Sequence, residues 1–293
     1  MRSLTRETLI EYLFAATALL AVGILAGIFL LLFTEGIPVF RYVRAGQFFS
    51  WNWNPNAYDQ PDYGILSQVL STLLVTGGAL AFSIPIGIGA AAYLSEIAAP
   101  RTREFIKPMV ELLAGVPSVV IGFLGIVVTG PWLARSLGTS NGLNALNGSL
   151  LLGLMSLPTI VTITEDALRA VPTEFKAASL ALGANRLQTL VRVTIPSAAT
   201  GVIAACMLGM GRAVGETMTV LMATGNALAP PQGFLDSVRT MTATIAIELG
   251  EVPFGTAHYH ALFVIGFVLF IFTFLVNSIS DLILLRFQRK MHG

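Results

Sequence analysis

The spacing of the charged residues constrains this chain more than any other feature. Uncharged stretches long enough to cross a bilayer recur along it: residues 12–34 lie between Glu11 and Glu35, 63–95 between Asp62 and Glu96, and 112–134 between Glu111 and Arg135. Residues 136–164 end at Glu165, 197–223 are interrupted by Arg212 and Glu216, and 252–280 carry His258 and His260 near their start. A helix needs about 20 apolar residues to cross roughly 30 Å of hydrocarbon. The pattern therefore predicts an all-α membrane protein with six transmembrane helices. Composition agrees, because 11% of the 293 residues are charged against about 25% in soluble domains. The first apolar run, 23 residues long, exceeds the roughly 7–15-residue core of a signal peptide and is read as a retained helix.

An even number of spans places both termini on one side, and cationic residues collect on the cytoplasmic side. Arg2, Arg6, Arg101, Arg103, Lys107, Arg169, Lys176, Arg186, Arg192, Arg286, Arg289 and Lys290 fall on the side of the termini, twelve in all. Arg41, Arg44, Arg135 and Arg239, four in all, fall on the other, and Arg212 lies within the membrane. Both termini are thus expected in the cytoplasm. Trp51, Trp53, Tyr58 and Tyr63 fit an outer interfacial belt.

The balance of charges, +1 overall, gives no basic face for nucleic acid. The single cysteine, Cys206, forms neither an intrachain disulfide nor a zinc cluster. None of Lys107, Lys176 and Lys290 lies in a Walker phosphate loop, and the three histidines form no H-E-x-x-H. No catalytic constellation stands out, so nothing in the residue pattern points to an enzyme. Any work against a gradient must draw its energy from another chain.

The cytoplasmic stretch 165–196 is longer than a turn requires. Pro172, Thr173 and Glu174 mark a helix start, residues 175–182 are good helix formers, and Gly183 is a C-terminal stop. A second short segment, 185–193, precedes Pro196. The first helix presents Phe175, Ala178 and Leu182 with the small neighbours Ala177 and Ser179. Such a helix either enters a partner's groove or folds back on its own membrane domain, and the residue pattern leaves both open.

Ala177-Ala178-Ser179-Leu180-Ala181-Leu182-Gly183, followed by Ile195-Pro196, resembles the EAA loop of ABC-transporter permeases. There E-A-A-x-x-x-G-x9-I-x-L-P forms a coupling helix held in a cleft of the ATPase subunit. Ala177 stands in the place of the family's glutamate, and Glu174, one turn earlier, is the candidate replacement. Glu111-Leu112-Leu113-Ala114-Gly115-Val116-Pro117-Ser118-Val119-Val120 and Gly211-Arg212-Ala213-Val214-Gly215-Glu216-Thr217-Met218 are similar to segments of phosphate-transporter permeases. Trp53-Asn54-Pro55 in the outer loop favours one of the two sister permeases of such systems. The resemblance, covering residues 66–285, implies a MetI-like ABC importer permease fold. It divides the chain into an N-terminal helix and outer loop (1–64), a permease domain (65–286) containing the coupling loop (165–196), and a cytoplasmic tail (287–293).

The resemblance also implies a function: ATP-driven import of inorganic phosphate across a bacterial cell membrane. The expected partners are a second, sister permease, a cytoplasmic ATPase dimer, and a periplasmic or lipid-anchored phosphate-binding protein. The chain itself would bind no cofactor, ATP being used by the ATPase. Glu174, Ala177, Ala178, Ser179, Gly183 and Pro196 would form the coupling surface. Alternatives of the same architecture are a sulfate or molybdate permease, or the other sister permease. A more distant one is an ion-driven secondary transporter.

Arg212 falls near mid-depth of its span, where an arginine costs roughly 2.5–3.5 kcal/mol on insertion scales. Glu216, four residues on, is expected on the same helix face, in an ion pair with it. The pair would either lock span five to its neighbours or line the translocation route. In the second reading the guanidinium fork meets a phosphate oxyanion and Glu216 holds it between passages. Gly211 and Gly215 form a G-x-x-x-G that suits close approach of a second permease. Glu111 reads as a carboxylate at the start of span three, and His258 and His260 as solvated groups at the outer mouth of span six. Asp236, Arg239, Glu248 and Glu251 would decorate an outer loop facing the binding protein.

Overall fold

The computed structural model describes the backbone of residues 2–292 and the side chains of 7–279, 281, 282, 285 and 286. Helix α1 (Arg2–Gly36) leads through two 3-10 turns to an antiparallel ribbon of β1 (Trp53–Asn54) and β2 (Asp62–Tyr63), with Trp53 opposite Tyr63. α2 (Leu66–Ala92) ends in a π-helical turn, Tyr93–Ile97. α3 (Pro100–Ala114) precedes a span built from α4 (Ser118–Leu124), a π-turn and α5 (Gly130–Leu137). α6 (Ala145–Arg169) follows, then the short α7 (Thr173–Ala181) and α8 (Arg186–Thr189). A third π-turn joins α8 to α9 (Ile195–Ser197), α10 (Ala199–Gly215) and α11 (Met218–Ala223). α12 (Met241–Glu248) and α13 (Ala257–His292) complete the chain.

Five of these helical runs are long and apolar enough to cross a membrane, and a sixth span is made by Arg186–Ser197 plus Ala199–Gly215, which meet at 72°. α6 is the most enclosed span, packed by α2, α10, α3 and α11. Without a hydrophobic force between helices in lipid, close approach relies on small residues and polar contacts. At Gly201 of α10 an added Cβ would lie 2.3 Å from the Cβ of Ala167 on α6, so only glycine fits. The Ser149 hydroxyl donates to the Val75 carbonyl at 3.1 Å, tying α6 to α2. The buried Asn147 amide donates to the carbonyls of Gly125 and Ala223 at 3.1 and 3.2 Å. Gly125 opens the π-turn of span three, where the helical ladder is irregular and its carbonyls need partners inside the protein.

Several expectations are revised. Span three begins at Ser118, not at residue 112. Pro117 lacks a backbone donor and restricts its predecessor, so α3 ends at Ala114 and a new helix starts beyond it. Glu111 consequently lies in the last turn of α3 rather than at the start of a span. Trp51 and Tyr58 are exposed, but Trp53 and Tyr63 are buried against Val39, Phe48, Leu262 and Ile265 and form no belt. Burial pushes the Tyr63 phenol above its ordinary pKa. The stretch read as one long outer loop contains α12. The backbone of α13 continues through the expected tail to His292, and the side chains of 287–293 lie outside the described residues.

Candidate functional site

Span five is broken at its charged residues. α10 stops at Gly215, and Glu216 is extended (φ −70°, ψ 131°). Its carboxylate accepts the backbone N–H groups of Met218 at 3.1 Å and Thr219 at 3.3 Å, capping α11. Its carbonyl accepts the Thr242 hydroxyl at 3.0 Å, fastening the break to α12. The predicted Arg212–Glu216 ion pair does not form. An i,i+4 pair requires continuous helix between its members, and here the helix ends between them. Arg212 is half-buried, and its side chain makes no hydrogen bond or ion pair among the described residues. An added Cβ at Gly215 would meet nothing among the described residues within 4 Å, and one at Gly211 would touch Asn277 Oδ1 of α13 at 3.9 Å, so there is room beside α10 at both glycines. Thr219 Oγ1 donates to the Ser118 carbonyl at 3.1 Å, bringing residues 111–120 and 211–218 together beside the break.

On the cytoplasmic side α7 has no buried residue. Glu174 occupies its first turn, and Phe175, Ala177, Ala178, Leu180 and Leu182 are exposed. Gly183 adopts φ +86°, a left-handed conformation suited to glycine, and the Ala184 N–H donates back to the Ser179 carbonyl at 3.2 Å. The Ser179 and Thr189 hydroxyls are 3.0 Å apart, and Asn185 caps α8 through the Gln188 N–H at 2.8 Å. The second segment does not stop before Pro196. Helix runs on through the π-turn and α9 to Ser197, because Pro196 sits in the first turn of α9, where a missing N–H costs little.

Two polar clusters escaped sequence reasoning. Glu165, 1% exposed at the cytoplasmic end of α6, takes Arg103 at 2.5 Å, Lys107 at 2.6 Å and Arg169 at 3.7 Å. Its hydrogen bond holds the Lys107 ammonium above the ordinary lysine range, with partial burial opposing. A raised lysine keeps its contribution below its unfolded pKa and loses it only as pH climbs through the higher folded one. Lys107 therefore keeps its charge across the neutral range. The spacing of Arg103 and Lys107 on α3 was visible, but nothing local points to a carboxylate so far along the chain.

The second cluster corrects the outer-face reading. Glu248 accepts Trp53 Nε1 at 2.9 Å, Arg239 Nη1 at 2.8 Å and His258 Nε2 at 2.8 Å. His260 Nδ1 donates to the Glu35 carbonyl at 2.6 Å. Both histidines are buried and partnered rather than solvated, and Arg239 and Glu248 face inward. Packing of the ribbon over the start of α13 encloses them. Asp236 accepts the N–H groups of Gln232 and Gly233 at 2.7 and 2.9 Å, closing a turn. Glu251 is exposed and lines a cavity of about 620 Å³ with Asn56, Tyr63 and Thr256.

The family model described as "Binding-protein-dependent transport system inner membrane component" matches residues 83–293. The chain is 37% identical over 226 residues to "Probable ABC transporter permease protein YqgH" of Bacillus subtilis, covering 77% of this chain and 73% of that protein. It is 30% identical over 294 residues to "Phosphate transport system permease protein PstC" of Mesorhizobium japonicum, covering 94% and 89%. Among solved structures, an inward-facing form of the MetNI methionine ABC transporter matches with TM-score 0.59 at 20% identity, over 76% of this chain and 95% of that one. A bacterial ABC transporter involved in alginate import matches with TM-score 0.56 at 15% identity, over 84% and 92%. The structural likenesses bear on the fold.

Proposed function

The chain belongs to the family of binding-protein-dependent transport system inner membrane components, and on that premise we propose that it is the phosphate-translocating permease of an ATP-driven importer. The relatives named PstC support this cargo and this one of the two sister subunits. An ATPase and a binding protein accompany such a component. A second permease completes the path, with the face of α10 around Gly211 and Gly215 as its contact.

The observation that carries the cargo reading is Arg212, a guanidinium in the last turn of α10, just before the break in span five, with no carboxylate partner among the described residues. A planar fork of donors in a region of low dielectric is suited to a tetrahedral oxyanion. Glu216, held by the Met218 and Thr219 amides, leaves that positive charge unneutralised. It also places a negative charge beyond the arginine, which opposes prolonged anion binding. Passage requires attraction weak enough for release.

In this mechanism the binding protein delivers phosphate at the outer face, and ATP binding and hydrolysis move the ATPase against α7. The displacement passes through α6 on one side and the α8–α10 bend on the other, so that the path opens alternately to the two faces. Reconstitution of the chain with its partners in vesicles tests the reading. Labelled phosphate uptake is expected to depend on the ATPase, to be competed by unlabelled phosphate, and to be unaffected by tenfold sulfate or molybdate. Equal competition by sulfate would reassign the cargo, and uptake without the ATPase would make the chain a secondary transporter.

A further inference from the structure

The apolar cluster at the cytoplasmic face joins Ala91 and Leu94 at the end of span two to Leu168, Val171, Leu190 and Val202. It stops short of α7, which buries nothing. Between α7 and span two lies a cavity of about 560 Å³, bordered by Glu96, Ile97, Lys176, Leu180 and Leu187. One contact crosses it: Lys176 Nζ stands 2.5 Å from Glu96 Oε1, both side chains about four-fifths covered. Lys176 also reaches the Leu168 carbonyl at 3.5 Å. Among the described residues this is the one ion pair between α7 and another element.

α7 is joined by the chain to α6 and to α8, and through them to spans four and five. Span two has no such covalent link. Its cytoplasmic end is a π-turn, a helical irregularity with looser backbone constraint than an α-helix. A push on α7 would therefore reach spans four and five directly; span two follows through its packing on α6, and at its cytoplasmic end through the apolar cluster and this ion pair, its one direct charged link to α7 among the described residues.

We propose that Lys176 and Glu96 are positioning residues for energy coupling: their ion pair carries the displacement of the coupling helix to the cytoplasmic end of span two, so that spans two, four and five move together. In this role neither residue has to contact cargo or nucleotide. The inference rests on the ATPase-driven reading above but not on its cargo.

The test uses the complete complex, assembled with ATPase, second permease and binding protein. Lys176→Glu and Glu96→Lys are each expected to keep the ATPase bound and its basal hydrolysis intact. Stimulation of hydrolysis by the loaded binding protein should fall at least fivefold in each. The double variant Lys176→Glu/Glu96→Lys restores the pair with its charges exchanged, and should return stimulation to within twofold of the unmodified complex. Unchanged stimulation in both single variants overturns the proposal, as does stimulation that stays lost in the double variant. Loss of bound ATPase from either single variant also overturns it, because the residue would then serve docking. An unmodified complex that shows no stimulation at all would fall on the proposed function instead.

Discussion

Arg212 owes its chemical interest to a hydrogen-bonding pattern two residues of helix cannot reveal. Its depth in span five follows from counting apolar residues, but its freedom follows from Glu216 turning to cap α11. Periodicity placed the two on one face, and a carboxylate that satisfies two backbone donors at a helix start competes well with an ion pair. Arg212→Gln keeps the size and donors of the side chain roughly while removing its charge. A hydrogen bond to a charged group contributes about 1.5–3 kcal/mol, so phosphate flux should fall roughly ten- to hundredfold. The amount of assembled complex should not change, and vesicle uptake beside copurification measures both. Unaltered flux would remove Arg212 from the path. The histidines show the opposite error: His258 and His260 looked like mouth residues, and their enclosure depends on partners, Glu248 and Glu35, that no local pattern couples to them.

Helices whose limits are set by local chemistry were legible, and those limited by tertiary contacts were not. α7 begins after Pro172 and ends at a left-handed Gly183, both of which the residue types announce. Span three is an exception: Pro117 marks its start locally, but a count of apolar residues runs through the proline into α3. The break in span five leaves no sequence trace beyond a glycine. α7 makes a direct prediction, since none of its residues is buried. Ala178→Glu should leave the thermal stability of the detergent-solubilised chain within about 0.5 kcal/mol, as for other surface changes, while ATPase copurification falls at least tenfold. Normal copurification would mean that the ATPase docks elsewhere.

Across the whole molecule, charge asymmetry carries the orientation and helix packing carries the rest. With Cys206 changed to Ser, a cysteine at the exposed Tyr58 should react with an impermeant maleimide in intact cells. One at Leu182, which is 90% exposed, should react only after the membrane is opened. The reverse pattern would turn the molecule over. The ring of α6 contacts was beyond sequence reasoning, because lipid and protein interiors are equally apolar and hydropathy does not tell which faces meet.

α1 is covered by little of the protein, and among the described residues its aromatic contacts with other helices, Phe29 with Phe267 and Phe270 and Phe33 with Phe267, are with α13. A chain is synthesised from its first residue, at about 5–20 residues per second. Once inserted, α1 waits roughly 10–50 s before its neighbour leaves the ribosome. During that interval the helix that packs most on it is missing, so its long unbroken run of apolar side chains must hold it in the bilayer. α13, made well after α1, then closes against it.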